Sequence, residues 1–414
     1  MKVTQITQCR ICGNKNLIPL FNLGEQALSG RFPKLNERDP PTAPLELVMC
    51  DPTSGKGACG LVQLRHSVTQ DELYKSGYGY LSSMNDSMKK HLRDIAILLP
   101  AMVNLKPRDI ILDIGSNDGT LLKQYPVPQN IERVGIDAGG KQYTKYYPDN
   151  IKLISDYFSA DKFKSIYGER KAKIITSIAM FYDLEKPLDF ILDIKEILHP
   201  DGVWVLEQSY YPEMVAINSF DTICHEHLEY YSLQQIYWMA NKLGMRIVDV
   251  ELNKTNGGSF RVYICHREAQ FISNTRKIII ILNKEMAGKP DEEFKLRVDE
   301  IKRQVVTFIK KQKSEGKTIY VYGASTKGNV LLQYFGLNNT LITGAADKNP
   351  DKWGCKTPAT HIPIMSEEDV RKLKPDYMLV LPWHFRDEFL VRETEYLKNG
   401  GKFIFPLPKF EVVG

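Results

Sequence analysis

Apolar and polar positions follow three patterns along the chain. Residues 1–75 hold short apolar stretches between turn-forming residues, such as LIPLFNL, LELVMC and CGLVQL. Apolar residues then recur at helical spacing in SMKKHLRDIAILLPAMVNL, and Pro107 stops that pattern. Beyond it, strand-like runs alternate with helical stretches, which predicts an α/β fold with a largely parallel, doubly wound sheet.

The strand-like runs of this central part are DIILDIG, RVGIDA, IKLISDYF, KIITSIA, GVWVLEQ, MRIVDVEL and SFRVYICH. A polar, lysine-rich stretch follows and predicts one or two amphipathic helices. The alternation then restarts with KTIYVYGAS, TLITGAAD, YMLVLPW and GKFIFPLP. We therefore expect an N-terminal unit over residues 1–75, a central α/β domain over 76–268, a helical connector over 269–315 and a Rossmann-like α/β domain over 316–414.

Composition narrows the class of protein. A chain of 414 residues accommodates two to three domains, and 25% charged residues are typical of a globular protein. The net charge is only +5, without a basic tail, which suits small anionic ligands and argues against a nucleic-acid partner. We see no membrane-spanning apolar run and no secretory signal, so we expect a cytoplasmic protein without membrane contact.

Four of the seven cysteines lie near the N-terminus, at Cys9, Cys12, Cys50 and Cys59. In a cytoplasmic protein such residues are thiols or metal ligands more often than disulfides. Four thiolates suit tetrahedral Zn²⁺, although eight residues separate the second pair where C-x-x-C is usual. We expect a structural zinc site because the N-terminal unit has a thin core. The alternative is two unrelated cysteine pairs.

A glycine-rich turn follows the first central strand in the string DIGSNDG. It lacks the second glycine of the G-x-G-x-x-G dinucleotide motif, and the acid Asp113 precedes it, so a cofactor without phosphates fits. Asp137 ends the next strand and suits the two hydroxyls of a ribose. This layout is similar to that of class I S-adenosylmethionine (SAM) methyltransferases; the alternative is an ordinary strand–helix turn. The expected cofactor-binding residues are Asp113, Gly115, Ser116, Asn117, Asp118, Gly119, Asp137, Asp156, Tyr157, Phe158 and Ser177.

Polar clusters suited to acid–base chemistry occupy three loops. The string ICHEHLEYYS follows the fifth central strand, and its histidines are two apart, whereas a helical zinc site needs them four apart. The other two clusters are Tyr78–Asn85 and Asn256–Arg261. Each loop could instead be a satisfied structural loop, but their expected place at one sheet edge favours a shared function.

The C-terminal domain contains the turn YGASTKGN, whose N–H groups, hydroxyls and lysine suit phosphates. It also lacks the dinucleotide motif, so a nucleotide carried on a substrate fits better than NAD; the alternative is a purely structural domain. The expected substrate-binding residues of the protein are Tyr78, Asn256, Gly257, Tyr322, Gly323, Ala324, Ser325, Lys327, Asn329, Asp347, Lys352, Trp383 and His384.

The four-cysteine head, DIGSNDG, ICHEHLEYYS, YGASTKGN and DKNPDK occur in an order that resembles the sugar C-methyltransferases acting on nucleotide-linked 4-keto-6-deoxyhexoses. The resemblance covers essentially the whole chain. It implies a zinc-binding N-terminal domain, a central SAM domain and a C-terminal domain that holds the nucleotide, GDP or dTDP. It also implies C3 methylation of the 4-keto sugar through an enolate made by a base. We expect a monomer or a weak homo-oligomer.

By the same resemblance, His227 is the base, Glu226 orients or assists it, and Tyr80 contacts the sugar or the enolate. Two positions depart from the family, since Cys224 stands where a tyrosine is frequent and Phe181 where a histidine is frequent. Tyr182 and His225 are candidates to take over those roles, and Cys224 lies within the expected catalytic loop.

Two other functions are consistent with parts of the sequence. A SAM-dependent O- or N-methyltransferase of small anionic molecules would share the central domain without needing an enolising base. A zinc-ribbon nucleic-acid-binding protein would share the cysteines, but the small net charge disfavours it.

Overall fold

The computed structural model of the protein describes residues 1–55, 57–74, 80–287 and 293–414. The described helices and strands form four β-sheets with helices packed between and around them. A membrane-spanning helix does not occur in those ranges, where no helix combines the necessary length and apolar composition.

The short apolar stretches of the N-terminal unit lie on β-strands. Its strands are β1 (Val3–Gln5), β2 (Leu17–Ala27), β3 (Thr42–Cys50), β4 (Val62–Leu64) and β5 (His66–Val68). Strands β2, β3 and β4 pair antiparallel, and β1 pairs with β5. The short helix α1 (Gln70–Tyr74) follows.

The central domain begins with the predicted helix, α2 (Asp86–Met102). The elements that follow it are β6 (Ile110–Ile114), α3 (Thr120–Gln124), β7 (Glu132–Ile136), α4 (Gly140–Tyr143), β8 (Ile151–Ile154), α5 (Ala160–Tyr167), β9 (Ala172–Ile178), α6 (Pro187–Ile197), β10 (Leu198–Ser209), α7 (Tyr211–Ala216), β11 (Glu229–Tyr230), α8 (Leu233–Lys242), β12 (Met245–Asn253) and β13 (Ser259–His266).

Seven of these strands form one sheet in the order β12-β13-β10-β9-β6-β7-β8. The five strands from β10 to β8 are parallel, as the alternating pattern predicts. Strand β13 runs antiparallel to both of its neighbours. The carboxyl ends of the parallel strands therefore meet at one edge, which is where ligands bind in open α/β sheets.

Two helices, α9 (Thr275–Ala287) and α10 (Phe294–Ser314), follow in the stretch where the sequence predicts one or two amphipathic helices. The C-terminal elements are β14 (Ile319–Tyr322), α11 (Thr326–Phe335), β15 (Gly344–Asp347), β16 (Ile364–Ser366), α12 (Glu367–Lys372), β17 (Tyr377–Val380), α13 (Arg386–Arg392), α14 (Thr394–Lys398), β18 (Lys402–Phe405) and β19 (Glu411–Val413). Their sheet has the order β16-β15-β14-β17-β18-β19, parallel except for β19.

The N-terminal unit shares its core with both α/β domains. Leu45 and Leu47 of β3 belong to an apolar cluster that continues through Tyr322 and the C-terminal sheet. Cys50 and Leu61 belong to a second cluster that continues into the central domain. Strand β11 leaves the central domain and pairs antiparallel with β4. A unit with little core of its own is thus stabilised by its neighbours.

Candidate active site

The four N-terminal thiols converge on one point. The sulfurs of Cys9, Cys12, Cys50 and Cys59 all lie within 4.8 Å of one another. Cys9 Sγ is 3.4 Å from Cys59 Sγ, and Cys12 Sγ is 3.5 Å from Cys50 Sγ. Asn14 Nδ2 lies 3.4 Å from Cys50 Sγ and can donate to it. Four sulfurs with this spacing fit a closed tetrahedral Zn²⁺ site, which is structural because no coordination position stays open for a substrate.

A large cavity lies at the carboxyl edge of the central sheet and extends to the C-terminal domain. Its volume is about 540 Å³, and its lining includes residues of both α/β domains. Pockets of that size hold small molecules and cofactors. The three predicted polar loops reach the cavity through Tyr80, His227 and Asn256. The structure therefore brings the three loops together, as the sequence predicts.

The glycine-rich turn shapes one end of the cavity. Gly115 has a φ of +71°, and a Cβ there would approach Met180 Cγ to 2.9 Å, so the turn requires glycine. The backbone N–H groups of Asn117 and Gly139 donate to the carboxylate of Asp137 at 2.8 and 2.7 Å. These bonds hold Asp137 at the end of β7, in the lining of the cavity.

The residues around this turn also form its cover. Asn117 Nδ2 donates to Tyr80 O at 3.1 Å, and Ser82 N donates to Asn117 Oδ1 at 3.1 Å. The segment 80–83 therefore closes over the turn, although the Tyr80 side chain is 41% exposed. Burial raises the pKa of the Asp113 carboxyl to about 7. A 2.6 Å hydrogen bond from Thr176 Oγ1 opposes this shift by lowering the pKa.

Most of the predicted cofactor residues line this end of the cavity. They are Asp113, Gly115, Ser116, Asn117, Asp137, Asp156, Tyr157 and Phe158. The acid at the end of β7 fits the ribose of SAM. The turn without room for a Cβ fits the amino-acid part. The flanking aromatic rings fit the adenine.

Three predicted cofactor residues do not line the cavity. Asp118 accepts from Thr120 N and Ser83 N, so it holds the turn and its cover together. Gly119 lies against the Tyr147 ring. The Ser177 hydroxyl is buried and accepts from Trp204 Nε1 at 3.1 Å, away from the expected cofactor edge.

The loop after β10 presents His227 to the cavity. Its Nδ1 lies 2.8 Å from Thr222 O, and a carbonyl oxygen only accepts, so Nδ1 carries the proton in the neutral ring. This tautomer leaves the lone pair on Nε2. The Tyr182 ring lies against the imidazole, with centroids 4.2 Å apart. Burial lowers the pKa of His227 to about 3, and the Lys327 ammonium contributes, so the ring is a neutral acceptor near pH 7.

Glu226 and Cys224 lie beside this histidine. Both line the cavity, and burial raises the pKa of each. The Glu226 side chain interacts with the Gly30 backbone and with the Cys224 thiol. Among the described residues, Glu226 Oε2 has no hydrogen-bond partner although it is buried. Buried polar atoms are normally satisfied, so an unpartnered oxygen beside a cavity favours a ligand there.

His225 lies elsewhere. Its Nε2 is 3.0 Å from Ala43 O, and the residue is 2% exposed and outside the cavity lining. The structure thus gives it a contact with the N-terminal unit and not the expected catalytic position.

The C-terminal turn forms the other end of the cavity. Gly323 has a φ of +83°, and a Cβ there would approach Pro382 Cγ to 2.5 Å. Ala324 N donates to Asp347 Oδ2 at 2.9 Å, and Lys352 Nζ donates to Ala324 O at 2.7 Å. The predicted substrate residues in the cavity lining are Asn256, Tyr322, Gly323, Ala324, Ser325, Lys327, Asp347, Lys352 and His384.

Three predicted substrate residues that the structure describes do not line the cavity. Gly257 packs against the Trp383 ring, whose Nε1 donates to Asp221 Oδ2 at 2.9 Å. Asn329 donates to Ser29 O at 2.7 Å and is fully buried. Tyr78 lies outside the described residues.

A buried ionic group at the end of β10 is absent from the sequence predictions. Glu207 lines the cavity, accepts from Arg261 Nε at 2.8 Å and from Asn253 Nδ2 at 3.1 Å, and contacts His91 Nε2. Gln208 beside it is 1% exposed and also lines the cavity. The signal available in the sequence is the pair of polar residues that ends the apolar run VWVLEQ.

Comparisons with known proteins identify the class. Residues 9–74 match a family described as "Putative zinc binding domain", residues 84–250 match a "Methyltransferase domain", and residues 254–408 match a "C-methyltransferase C-terminal domain". The three matches are consecutive, and the third begins at residue 254, before strand β13 of the central sheet. These domains make the chain a SAM-dependent C-methyltransferase, and its residues fit the zinc site and the SAM site described above.

One curated relative matches this chain along nearly the whole length of both proteins. The chain is 29% identical over 420 residues to the C-methyltransferase NovU of Streptomyces niveus, a match that covers 99% of this chain and 98% of the relative. Among solved structures, the plantazolicin methyltransferase BpumL in complex with SAH is 12% identical, with a TM-score of 0.35 over 44% of this chain and 87% of BpumL. The CcbJ methyltransferase from Streptomyces caelestis is 12% identical, with a TM-score of 0.33 over 42% of this chain and 89% of CcbJ. Likeness to solved structures at this level does not bear on substrate or mechanism.

Proposed function

We propose that the protein methylates C3 of a nucleotide-linked 4-keto-6-deoxyhexose, with GDP or dTDP as the nucleotide, in branched deoxysugar biosynthesis. The observation that carries this proposal is the position of His227. Its neutral imidazole lies in one cavity between a SAM-type turn and a phosphate-type turn. C-methylation needs a base that makes a carbon nucleophilic, whereas the alternative O- or N-methylation needs no enolate.

The proton step follows from the tautomer of His227. The C4 ketone makes the proton on C3 more acidic. The lone pair on Nε2 of His227 accepts that proton. The electrons of the C–H bond then form the C3–C4 double bond of an enolate. Because Nδ1 donates to Thr222 O, the imidazolium formed keeps its orientation. Tyr182 limits the tilt of the ring by lying against it.

Bound SAM supplies an electrophilic methyl group on a sulfonium centre. The chain's part is to hold that group against the sugar. Asp137 would accept from the ribose hydroxyls, and Tyr157 and Phe158 would flank the adenine. The segment 80–83 would limit the access of water through its bonds to Asn117 and Asp118. Positioning of two reactants in this way converts a bimolecular reaction into an intramolecular one.

The substrate's nucleotide would lie along the C-terminal turn. The N–H groups around Ser325 and the side chain of Lys352 suit a diphosphate, with a contribution from the first turn of α11. Glu226 would position the catalytic loop through its interactions with Gly30 and Cys224. We further propose that the protein acts in the cytoplasm, without a nucleic-acid partner.

The test uses the full-length protein with SAM and a panel of GDP- and dTDP-linked 4-keto-6-deoxyhexoses. We expect one sugar nucleotide to gain the mass of one CH₂, and the gain should need the 4-keto group. The matching 4-hydroxy sugars serve as controls because they cannot form the enolate. Methylation of the 4-hydroxy sugars, or of none of the panel, would contradict the proposal.

A further inference from the structure

Lys327 enters the cavity from the C-terminal domain. It occupies the first turn of α11, where Gly328 N donates to Ser325 Oγ at 3.0 Å and fixes the start of the helix. Lys327 Nζ donates to Asn256 O at 3.1 Å, across to the central domain. Both Lys327 and Asn256 line the cavity. The ammonium therefore stands where the two α/β domains meet.

Helix α11 packs against the short turn that holds His227. Phe220 of that turn lies against Phe335 and Tyr334 of α11, with ring centroids 5.4 and 5.5 Å apart. The next two residues of the turn are Asp221 and Thr222, and Thr222 O is the partner of His227 Nδ1. These contacts hold α11, the helix that carries Lys327, against the turn that positions His227.

The charges around Lys327 agree with that placement. Burial lowers the pKa of its ammonium, and the carboxylate of Asp221 opposes the shift. In turn the ammonium lowers the pKa of both His227 and His384, after the larger effect of their burial. The Lys327 side chain therefore lies close enough to His227 to affect the pKa of the imidazole.

Loss of the C3 proton to His227 leaves the negative charge of the enolate on the C4 oxygen. Fixed positive groups in a desolvated site are the strongest stabilisers of such charge. We propose that the Lys327 ammonium stabilises the C4 oxygen of the enolate that His227 generates, an inference that rests on the proposed function. The C–H electrons become the C3–C4 π bond, the proton moves to Nε2 of His227, and the electrons of the C4–O π bond move to the C4 oxygen, which Lys327 would face. When C3 then bonds to the methyl carbon, the C–S bond breaks with its electrons on sulfur, and the charge on the C4 oxygen is lost as the ketone re-forms.

Another role for this lysine is to bind the diphosphate. The nearby Lys352 is the lysine held at the phosphate-type turn, where its Nζ bonds to Ala324 O and lies 3.6 Å from Asp347 Oδ2. Lys327 instead bonds to Asn256 O, which belongs to a loop of the central domain. The two roles predict opposite behaviour, since a phosphate ligand affects nucleotide binding whereas an enolate stabiliser affects proton removal.

The experiment compares wild type with K327M, K327R and the surface control K310M, each as full-length protein. The first measurement is the exchange of the C3 proton for deuterium in D₂O, with the 4-keto sugar nucleotide and S-adenosylhomocysteine present. The second is the Kd of the free nucleoside diphosphate, and the third is the temperature of thermal unfolding. We expect K327M to lose about 10²-fold or more in the exchange rate, the typical cost of one such stabilising group. Its Kd and unfolding temperature should stay near those of wild type, as should every value for K310M.

Several results would overturn the proposal. One is an exchange rate in K327M close to that of wild type. Another is a nucleotide Kd that weakens as much as exchange slows, which assigns the lysine to the diphosphate. If K327M unfolds early, K327R decides the matter, because it keeps the charge and should exchange much faster than K327M; equal loss would contradict the role of charge. No exchange by wild type on any sugar would instead refute the proposed function, and the role of Lys327 with it.

Discussion

The zinc site should control the catalytic loop, although the two are far apart in sequence. Strand β11 and the start of α8 follow His227 in the sequence and contact the N-terminal unit. Leu64 N donates to Leu228 O at 2.8 Å, and Gln235 Nε2 donates to Cys59 O at 2.7 Å. Arg10, between the first two cysteines, lies 3.6 Å from the Glu229 carboxylate. Three contacts at about 1 kcal/mol each amount to roughly 3 kcal/mol, or ~10²-fold in the population of the ordered loop.

The substitution C12S tests this coupling, because Cys12 is the least buried of the four cysteines. We expect C12S to lose bound zinc in elemental analysis by mass spectrometry, and to lose up to about 10²-fold in C3 deuterium exchange. The matched control is C355S, which removes a buried thiol outside the cluster and should keep zinc and exchange. A zinc-free C12S protein with the exchange rate of wild type would refute the coupling.

Three further predictions concern the two ends of the cavity. H227Q should abolish exchange at C3 while the Kd for S-adenosylhomocysteine stays unchanged by calorimetry, and exchange at the wild-type rate would exclude His227 as the base. Since the pKa of His227 is lowered to about 3, its base form persists throughout pH 5 to 8, so the exchange rate of wild type should show no acid limb near pH 6.5; such a limb would contradict the burial of the ring. D137A should weaken binding of S-adenosylhomocysteine by about tenfold or more, since each lost hydrogen bond to a charged group costs ~1.5 kcal/mol or more. The control is D161A, on the exposed start of α5. An unchanged Kd in D137A would contradict the ribose contact.

The central and C-terminal sheets were predictable because their strands are apolar on both faces. Runs such as Ile110–Ile114 and Tyr377–Val380 are fully buried, which marks parallel strands covered by helices. Strand β11 could not be foreseen, since two residues carry no periodic signal and its partner β4 lies far away in the sequence. Strands β2 and β3 were also not foreseen, because their buried positions face the core of another domain.

The candidate site was predictable wherever a residue type and its place at the end of a strand act together. Asp137, directly after β7, lines the cavity for this reason, whereas His227 reaches it from the loop before β11. Sequence position alone could not decide between neighbours on one loop. His225, two residues before His227, turns away to Ala43 O, and the Ser177 hydroxyl bonds to Trp204. Such choices depend on tertiary contacts that the sequence does not display.

The position of the transferred methyl group tests C3 methylation most directly. The full-length protein is incubated with SAM labelled with ¹³C in the methyl group and with the 4-keto sugar nucleotide that gains mass. Long-range carbon–proton NMR correlations then locate the labelled carbon. We predict that it is bonded to C3, which becomes a carbon without an attached proton. A labelled methyl on oxygen or nitrogen, or on C5 at the other side of the ketone, would contradict C3 methylation through the enolate.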